Sequence, residues 1–166
     1  LKGASYEFEN GKIYGLLGRN GAGKTTLFNI IYKELQKESG EIILEIDGEE
    51  ITPSIDDIGM IFAETYLPDF LTGYEYAKFI TDISSPHERA SVDLLFDEMN
   101  IDETDRHKLL KEYSSGMKSK VALLAMYIQK PKIILLDEPL TAVDIISAQE
   151  IKKFFKSLKR DHIVIV

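Results

Sequence analysis

The chain has 166 residues, with 20 Lys or Arg and 28 Asp or Glu, so its formal net charge is −8 at pH 7. This length fits one globular domain, and the acidic balance disfavours nucleic acid as a partner. No apolar run approaches the roughly 20 residues of a membrane-spanning helix, so any membrane role requires a partner. Cysteine is absent, which excludes disulfides and thiolate metal sites.

Short apolar segments bounded by turn residues predict the strands. In chain order these segments are SYEF, KIYGLL, EIILEI, DIGMIF, KIILLD and HIVIV. The runs IILL and IVIV are uniformly apolar, which is typical of a parallel sheet covered on both faces. Between them, helical spacing of apolar residues predicts the helix of a βαβ crossover, with Ile151, Phe154, Phe155 and Leu158 on its buried face.

The middle of the chain is predicted to be helical. Thr72 with Glu75, and Ser85 with Glu88, form capping-box patterns at two helix starts. The second of these helices carries an apolar face of Val92, Leu95, Phe96 and Met99, and a third helix carries one of Met117, Val121, Leu124, Ala125 and Ile128. The prediction is an α/β fold whose mostly parallel sheet is interrupted by a helical insertion.

The stretch 18–26, GRNGAGKTT, lies between a predicted strand and a predicted helix. Gly18, Gly23, Lys24 and Thr25 satisfy the pattern G-x-x-x-x-G-K-[ST] of a phosphate-binding loop. Glycines let backbone N–H groups curl around phosphate oxygens, and the helix N-terminus adds positive charge. Lys24 would then contact the β- and γ-phosphates, and the Thr25 hydroxyl would bind Mg²⁺. The alternative is a glycine-rich turn that only caps a helix.

Two carboxylates follow the apolar run in IILLDEP. Asp137 is predicted at the carboxyl end of a buried strand, where ligands bind in open α/β sheets, and is the candidate second anchor for Mg²⁺. Glu138 is the candidate general base that polarises an attacking water. The alternative is a simple strand-ending turn.

A second candidate anion site lies in EYSSGMKSK, residues 112–120. Ser114 and Ser115 can cap the following helix, whose N–H groups and dipole attract negative charge. Taken alone, this segment is an ordinary serine-capped helix. One nucleotide does not need two phosphate-binding helix starts within one domain, so the role of the second is open at this point.

The order of these motifs resembles that of the ATP-binding subunits of ABC transporters, bacterial export-type branch, over nearly the whole chain. The resemblance implies a P-loop NTPase (RecA-like) core with an N-terminal antiparallel β portion. It implies nucleotide contacts from Asn20, Gly21, Ala22, Gly23, Lys24, Thr25 and Thr26, and catalytic roles for Lys24 and Glu138. YSSGM resembles the family's signature loop, so Ser114, Ser115, Gly116 and Met117 would contact ATP bound to an opposing subunit. Asp144 in LTAVD matches the aspartate that communicates between the two sites.

The resemblance also implies the protein's layout and partners. Residues 1–166 would be a single ABC ATPase domain incomplete at both ends, with a core of residues 1–64 and 130–166 and a helical subdomain of residues 65–129. The implied cofactors are ATP and Mg²⁺. The implied partners are a transmembrane permease and a second ATP-binding subunit, identical or different, which places the protein at the cytoplasmic face of the membrane. The alternative function is a soluble ABC-type ATPase acting as a clamp on ribosomes or DNA.

The sequence departs from the family pattern in places. Ala63 stands where the family usually has a glutamine that reaches Mg²⁺, and Glu64 follows it. Ser115 replaces a glycine of the signature loop. An aromatic residue that stacks on adenine is expected before Leu1 and a histidine within about five residues after Val166. Finally, an apolar cluster of Phe62, Tyr66, Leu67 and Phe70 could either dock the membrane partner or pack the core against the helical part.

Overall fold

A computed structural model describes residues 3–62, 65–84, 91–141, 143–158 and 160–166. The strands are β1 (Ile13–Tyr14), β2 (Leu44–Ile46), β3 (Glu49–Ile51), β4 (Ile58–Ile61), β5 (Ile133–Leu136) and β6 (Ile163–Ile165). The helices are α1 (Lys24–Ile31), α2 (Gly73–Ile83), α3 (Val92–Glu98), α4 (Glu103–Arg106), α5 (Ser115–Gln129) and α6 (Ile145–Leu158), with a 3₁₀ turn at Leu110–Glu112.

The main sheet is parallel and has the strand order β1-β6-β5-β4. All four residues of β5 are buried, which confirms the two-sided burial predicted for IILL. Ile134 and Leu136 lie in one apolar cluster, with residues of α5 and α6. Ile133 and Leu135 lie in a second cluster, with residues of α1. Because side chains alternate along a strand, the two clusters cover opposite faces of the sheet.

The predicted antiparallel portion is confirmed as a separate two-stranded hairpin, β2 with β3. Asp47 and Gly48 both have positive φ values, of 53° and 83°, as a two-residue type I′ turn requires. The strand β3 was not predicted, because its residues EEI lack an apolar alternation and are all exposed.

The predicted strand SYEF is wrong, since residues 5–8 belong to no strand. Its alternating aromatic residues pack as rings instead. Tyr6 and Phe8 lie with ring centroids 4.8 Å apart, and Phe8 and Tyr14 lie 4.9 Å apart. KIYGLL and EIILEI are also longer than the strands they contain, β1 and β2. Residues 5–8 therefore have the alternating side chains of a strand, but they form no hydrogen-bonded ladder with another strand.

The helices with strong apolar periodicity are confirmed. At the start of α2 the capping box is present, because the Thr72 N–H donates to the Glu75 carboxylate (2.8 Å) and the Glu75 N–H donates to the Thr72 hydroxyl (3.1 Å). The second predicted capping box, at Ser85 and Glu88, lies outside the described residues. The helix α4 and the 3₁₀ turn were not predicted, since elements of four and three residues are too short to show a period.

A partly buried ion pair joins α5 to α6. Lys120 Nζ lies 2.6 Å from Glu150 Oε2, and the side chains are 7% and 25% exposed respectively. The Asn100 amide also donates to Glu150 (3.1 Å), and Lys120 lies 3.5 Å from the Asn100 carbonyl. One charged residue of each helix is therefore paired where α5 and α6 pack.

We expect Glu150→Ala to lower the free energy of unfolding by about 2–3 kcal/mol, because it leaves the Lys120 ammonium buried without its partner. This is less than the loss of about 3–5 kcal/mol for a fully buried pair, because Glu150 is partly exposed. Urea denaturation measures the change. Gln149→Ala, at an exposed position on the same helix, is the control. Equal stability of the two variants would contradict the prediction.

Candidate functional site

The loop between β1 and α1 is shaped by its glycines. Gly21 and Gly23 have φ values of 79° and 93°, which L side chains rarely adopt. Gly23 is the N-cap of α1 and provides no side-chain cap. The first N–H groups of a helix have no partner within the helix, so those of α1 are offered to a ligand. A positively polarised helix start of this kind fits a phosphate.

The Lys24 side chain reaches back to the first residues of this loop. Its Nζ donates to the Gly18 carbonyl (3.0 Å) and lies 3.5 Å from the Arg19 carbonyl. A Cβ built at Gly18 would lie 3.1 Å from the Ala22 Cβ, so a side chain there would crowd the loop. Asn20, Thr25 and Thr26 are exposed around it. The loop therefore brings together the Lys24 ammonium, the free N–H groups at the start of α1 and exposed polar side chains. These groups fit a nucleotide's phosphates.

Asp137 and Glu138 follow β5 but face different surroundings. Asp137 is 8% exposed, and its N–H donates to the Ile61 carbonyl (2.9 Å), which continues the ladder to β4. Glu138 is exposed and has a φ of 49°, a left-handed conformation that costs a non-glycine residue about 1–2 kcal/mol. The change in backbone direction sends the second carboxylate out of the sheet towards solvent.

Glu138 is also held by Thr141, a residue that no sequence motif had indicated. The Thr141 hydroxyl donates to the Glu138 carboxylate (3.2 Å), and the Thr141 N–H donates to the Glu138 carbonyl (3.0 Å). The spacing in the sequence, with a hydroxyl residue three positions after a carboxylate, could have indicated this hydrogen bond. Strain at an exposed carboxylate, held by a specific hydrogen bond, is typical of a functional position.

Thr25 and Asp137 supply a hydroxyl and a carboxylate, which are hard oxygen ligands suited to Mg²⁺. Among the described residues, no group of three or more His, Cys, Asp or Glu side chains could hold a metal ion. A cation bound here would therefore need water and phosphate oxygens as further ligands, which agrees with the preference of Mg²⁺. Ala63 and Glu64, considered as a further ligand position, lie outside the described residues.

The predicted signature loop forms the start of α5. Ser114 is the N-cap, and its hydroxyl accepts a hydrogen bond from the Met117 N–H (3.2 Å). Ser114 and Ser115 are exposed, whereas Gly116 is buried. A Cβ built at Gly116 would lie 2.8 Å from Ser147 Oγ and 3.2 Å from Asp144 Oδ2. The tertiary structure therefore brings the predicted signature loop into contact with the predicted communication aspartate.

Asp144 caps α6. Its Oδ1 accepts hydrogen bonds from the N–H groups of Ile146 and Ser147, each at 3.0 Å. The pKa of Asp144 is lowered mainly by a hydrogen bond from the Ser147 side chain, and next by one from the Ser147 backbone. Ser147 was not singled out in the sequence. It orients Asp144 against Gly116.

The apolar cluster of the sequence analysis divides into two pairs. Phe62 packs edge-to-face on Tyr32, with ring centroids 5.9 Å apart. Leu67 packs on the apolar cluster formed with residues of α5 and α6. Tyr66 and Phe70 are 82% and 79% exposed. A cavity of about 190 Å³ lies beneath, lined in part by Phe62, Thr65, Tyr66 and Leu67. Packing thus accounts for two residues of the cluster, and two large aromatic side chains remain at the surface.

Comparison with known proteins agrees with these motifs. A family model described as ABC transporter matches residues 1–141. The chain belongs to the ABC transporter family. The lantibiotic transport ATP-binding protein SrtF of Streptococcus pyogenes is 32% identical over 100% of this chain and 71% of its own length.

Solved structures of ABC transporter proteins share the fold. A Pyrococcus furiosus ABC transporter ATP-binding protein has a TM-score of 0.78 and 29% identity, over 95% of this chain and 78% of the other. The Clostridium perfringens protein cbiO1, part of the ABC transporter complex cbiONQ, has a TM-score of 0.77 and 27% identity, over 99% of this chain and 69% of the other. This ABC protein is thus an ATPase with the expected P-loop NTPase fold.

The match does not extend over the full length of the relatives. This ABC chain spans about half the length of several curated relatives, which it matches over 50–53% of their residues. No helix among its described residues is long and apolar enough to cross a bilayer.

Proposed function

We propose that this chain is the ATP-hydrolysing subunit of an ABC transporter, and that it pairs with a second ATP-binding subunit around Mg-ATP. The observation that carries the proposal is the presence of two differently built helix starts. Lys24 and the glycine loop precede α1, whereas Ser114 caps α5. If two subunits pair head to tail, the phosphate loop of one faces the Ser114 loop of the other, and both helix starts contact the same nucleotide.

The residues of one subunit would divide the hydrolytic work. Backbone N–H groups of residues 20–26 and the Lys24 ammonium hold the phosphates, and the exposed Glu138 carboxylate takes a proton from the attacking water. The oxygen of that water bonds to the γ-phosphorus as the bond to the β–γ bridging oxygen breaks, giving ADP and phosphate. Thr25 and Asp137 would hold Mg²⁺, which supplies charge neutralisation at the phosphates.

The proposed membrane partner is a transmembrane permease, which would hold this chain at the cytoplasmic face of the cell membrane. The core of residues 1–64 and 130–166 carries the phosphate loop, and the helical subdomain of residues 65–129 carries the signature loop. Exposed Tyr66 and Phe70 lie near the first boundary and support docking there. The relatives support transport, since SrtF is named for lantibiotic transport and cbiO1 is part of a transporter complex.

Steady-state phosphate release from the full-length protein tests the pairing. If two subunits complete each site, the rate per subunit rises with protein concentration until the dimer is saturated. Lys24→Ala should remove the activity at every concentration, because the phosphates lose their mobile cation. A rate per subunit that is constant down to concentrations where the protein is shown to be monomeric would overturn the shared-site proposal.

A further inference from the structure

The segment after Phe70 is bound to the segment just before the signature loop. The Leu110 N–H donates to the Leu71 carbonyl (2.8 Å), and the Gly73 N–H donates to the Lys108 carbonyl (3.3 Å). Between these bonds, Thr72 and Leu109 form an antiparallel bridge. The start of α2 is therefore attached by backbone hydrogen bonds to residues that lead into Ser114.

Tyr113, the residue directly before Ser114, adds a side-chain contact to this attachment. It is 5% exposed, and its hydroxyl donates to the Asp105 carbonyl (2.6 Å). A Cβ built at Gly73 would lie 2.1 Å from the Tyr113 hydroxyl oxygen and 2.9 Å from its Cζ, so only glycine leaves room for this ring. Burial raises the pKa of Tyr113 to about 12, so the hydroxyl remains a donor at neutral pH.

A third contact lies on the other side of Phe70. Lys118, in the first turn of α5, lies 3.7 Å from the Asp69 carboxylate. Phe70, itself 79% exposed, is thus flanked by two connections, through Asp69 to α5 and through Leu71 to residue 110. Segment 69–71 therefore contacts residues on both sides of the signature loop, Leu110 before it and Lys118 after its first residues.

We propose that Tyr113 is a positioning residue, which holds Ser114 in register with segment 69–73 and so couples the exposed Phe70 surface to the signature loop. This inference rests on the proposed function, in which Ser114 contacts a nucleotide on the opposing subunit. Coupling of binding equilibria is reciprocal. Engagement of Ser114 in an ATP-bound dimer must therefore change the environment of Phe70, and loosening Tyr113 must weaken that change.

The test uses full-length protein with the Glu138→Gln change, which keeps the ATP-bound dimer from turning over. The 166 residues contain no cysteine, so Phe70→Cys within them can carry an environment-sensitive fluorophore. We expect Mg-ATP to change the fluorescence on dimer formation. Tyr113→Phe should reduce this change at equal dimer occupancy by at least about half. It should also raise the protein concentration for half-dimerisation about fivefold, the factor that corresponds to one neutral hydrogen bond.

Controls separate positioning from folding. Tyr113→Phe keeps the buried ring and loses one hydrogen bond, so the thermal midpoint should fall by only about 2–4 °C and the ATP affinity of the monomer should match that of the parent. Tyr127→Phe removes a hydroxyl from α5 where the ring packs on Phe154, and should leave the signal unchanged. Gly73→Ala should abolish the fluorescence change on dimer formation, because its Cβ displaces the Tyr113 ring. The double variant with Tyr113→Phe should show no further loss of this signal, because both changes act at the same contact.

Two results would overturn the inference. An unchanged fluorescence response and half-dimerisation concentration in Tyr113→Phe would show that Tyr113 does not position Ser114. A parent protein that forms no ATP-dependent dimer would instead disprove the proposed function, and the inference with it.

Discussion

Glu138→Gln in the full-length protein should slow ATP hydrolysis by at least about 100-fold while ATP binding is retained, which is the scale of a lost general base. The amide is nearly the same size as the carboxylate and still accepts from Thr141, but it does not take a proton from water. The ATP-bound dimer should then persist. Phosphate release measures the rate, and size-exclusion chromatography with Mg-ATP measures the dimer.

Two control variants make this result specific. Glu98→Gln makes the same chemical change at an exposed position on α3 and should leave the rate unchanged. Glu138→Gly should also abolish rapid hydrolysis but raise the free energy of unfolding by about 1 kcal/mol, because glycine adopts the positive φ of this position without strain. Near-normal turnover in Glu138→Gln would rule out the carboxylate as the base.

Mixing Lys24→Ala and Ser114→Arg proteins should restore activity that neither has alone. Lys24→Ala loses the cation proposed to bind the phosphates. In the proposed dimer, the long side chain introduced by Ser114→Arg would block the helix start that faces the opposing nucleotide. In a mixed dimer, one site combines an intact Lys24 with an intact Ser114, and the other site lacks both. Random pairing of equal amounts restores about a quarter of the sites if the protein is a homodimer.

The measurement is phosphate release across a series of mixing ratios, with a maximum expected near equal amounts. Separately tagged variants show whether mixed dimers form. Background activity in mixtures that contain mixed dimers would contradict a site shared between subunits.

Local patterns predicted much of the fold and the candidate site. The capping box at Thr72 and the apolar faces of α3, α5 and α6 depend on neighbours within a few residues, and all of them appear in the structure. The strand SYEF failed because alternation describes one strand, whereas a ladder needs a second one. The short α4 carried no signal, since four residues span about one helical turn.

The sequence by itself determined the parallel sheet, the helical insertion and the glycine pattern of the candidate phosphate loop, because each depends on residue types at fixed local spacing. Only the tertiary structure decided which distant groups meet: Gly116 with Asp144, Gly73 with Tyr113, and Lys120 with Glu150. It also decided that Glu138 takes a left-handed conformation and that Phe70 stays exposed while Leu67 packs. Such outcomes follow from close packing between elements far apart in the chain, and no local period encodes them.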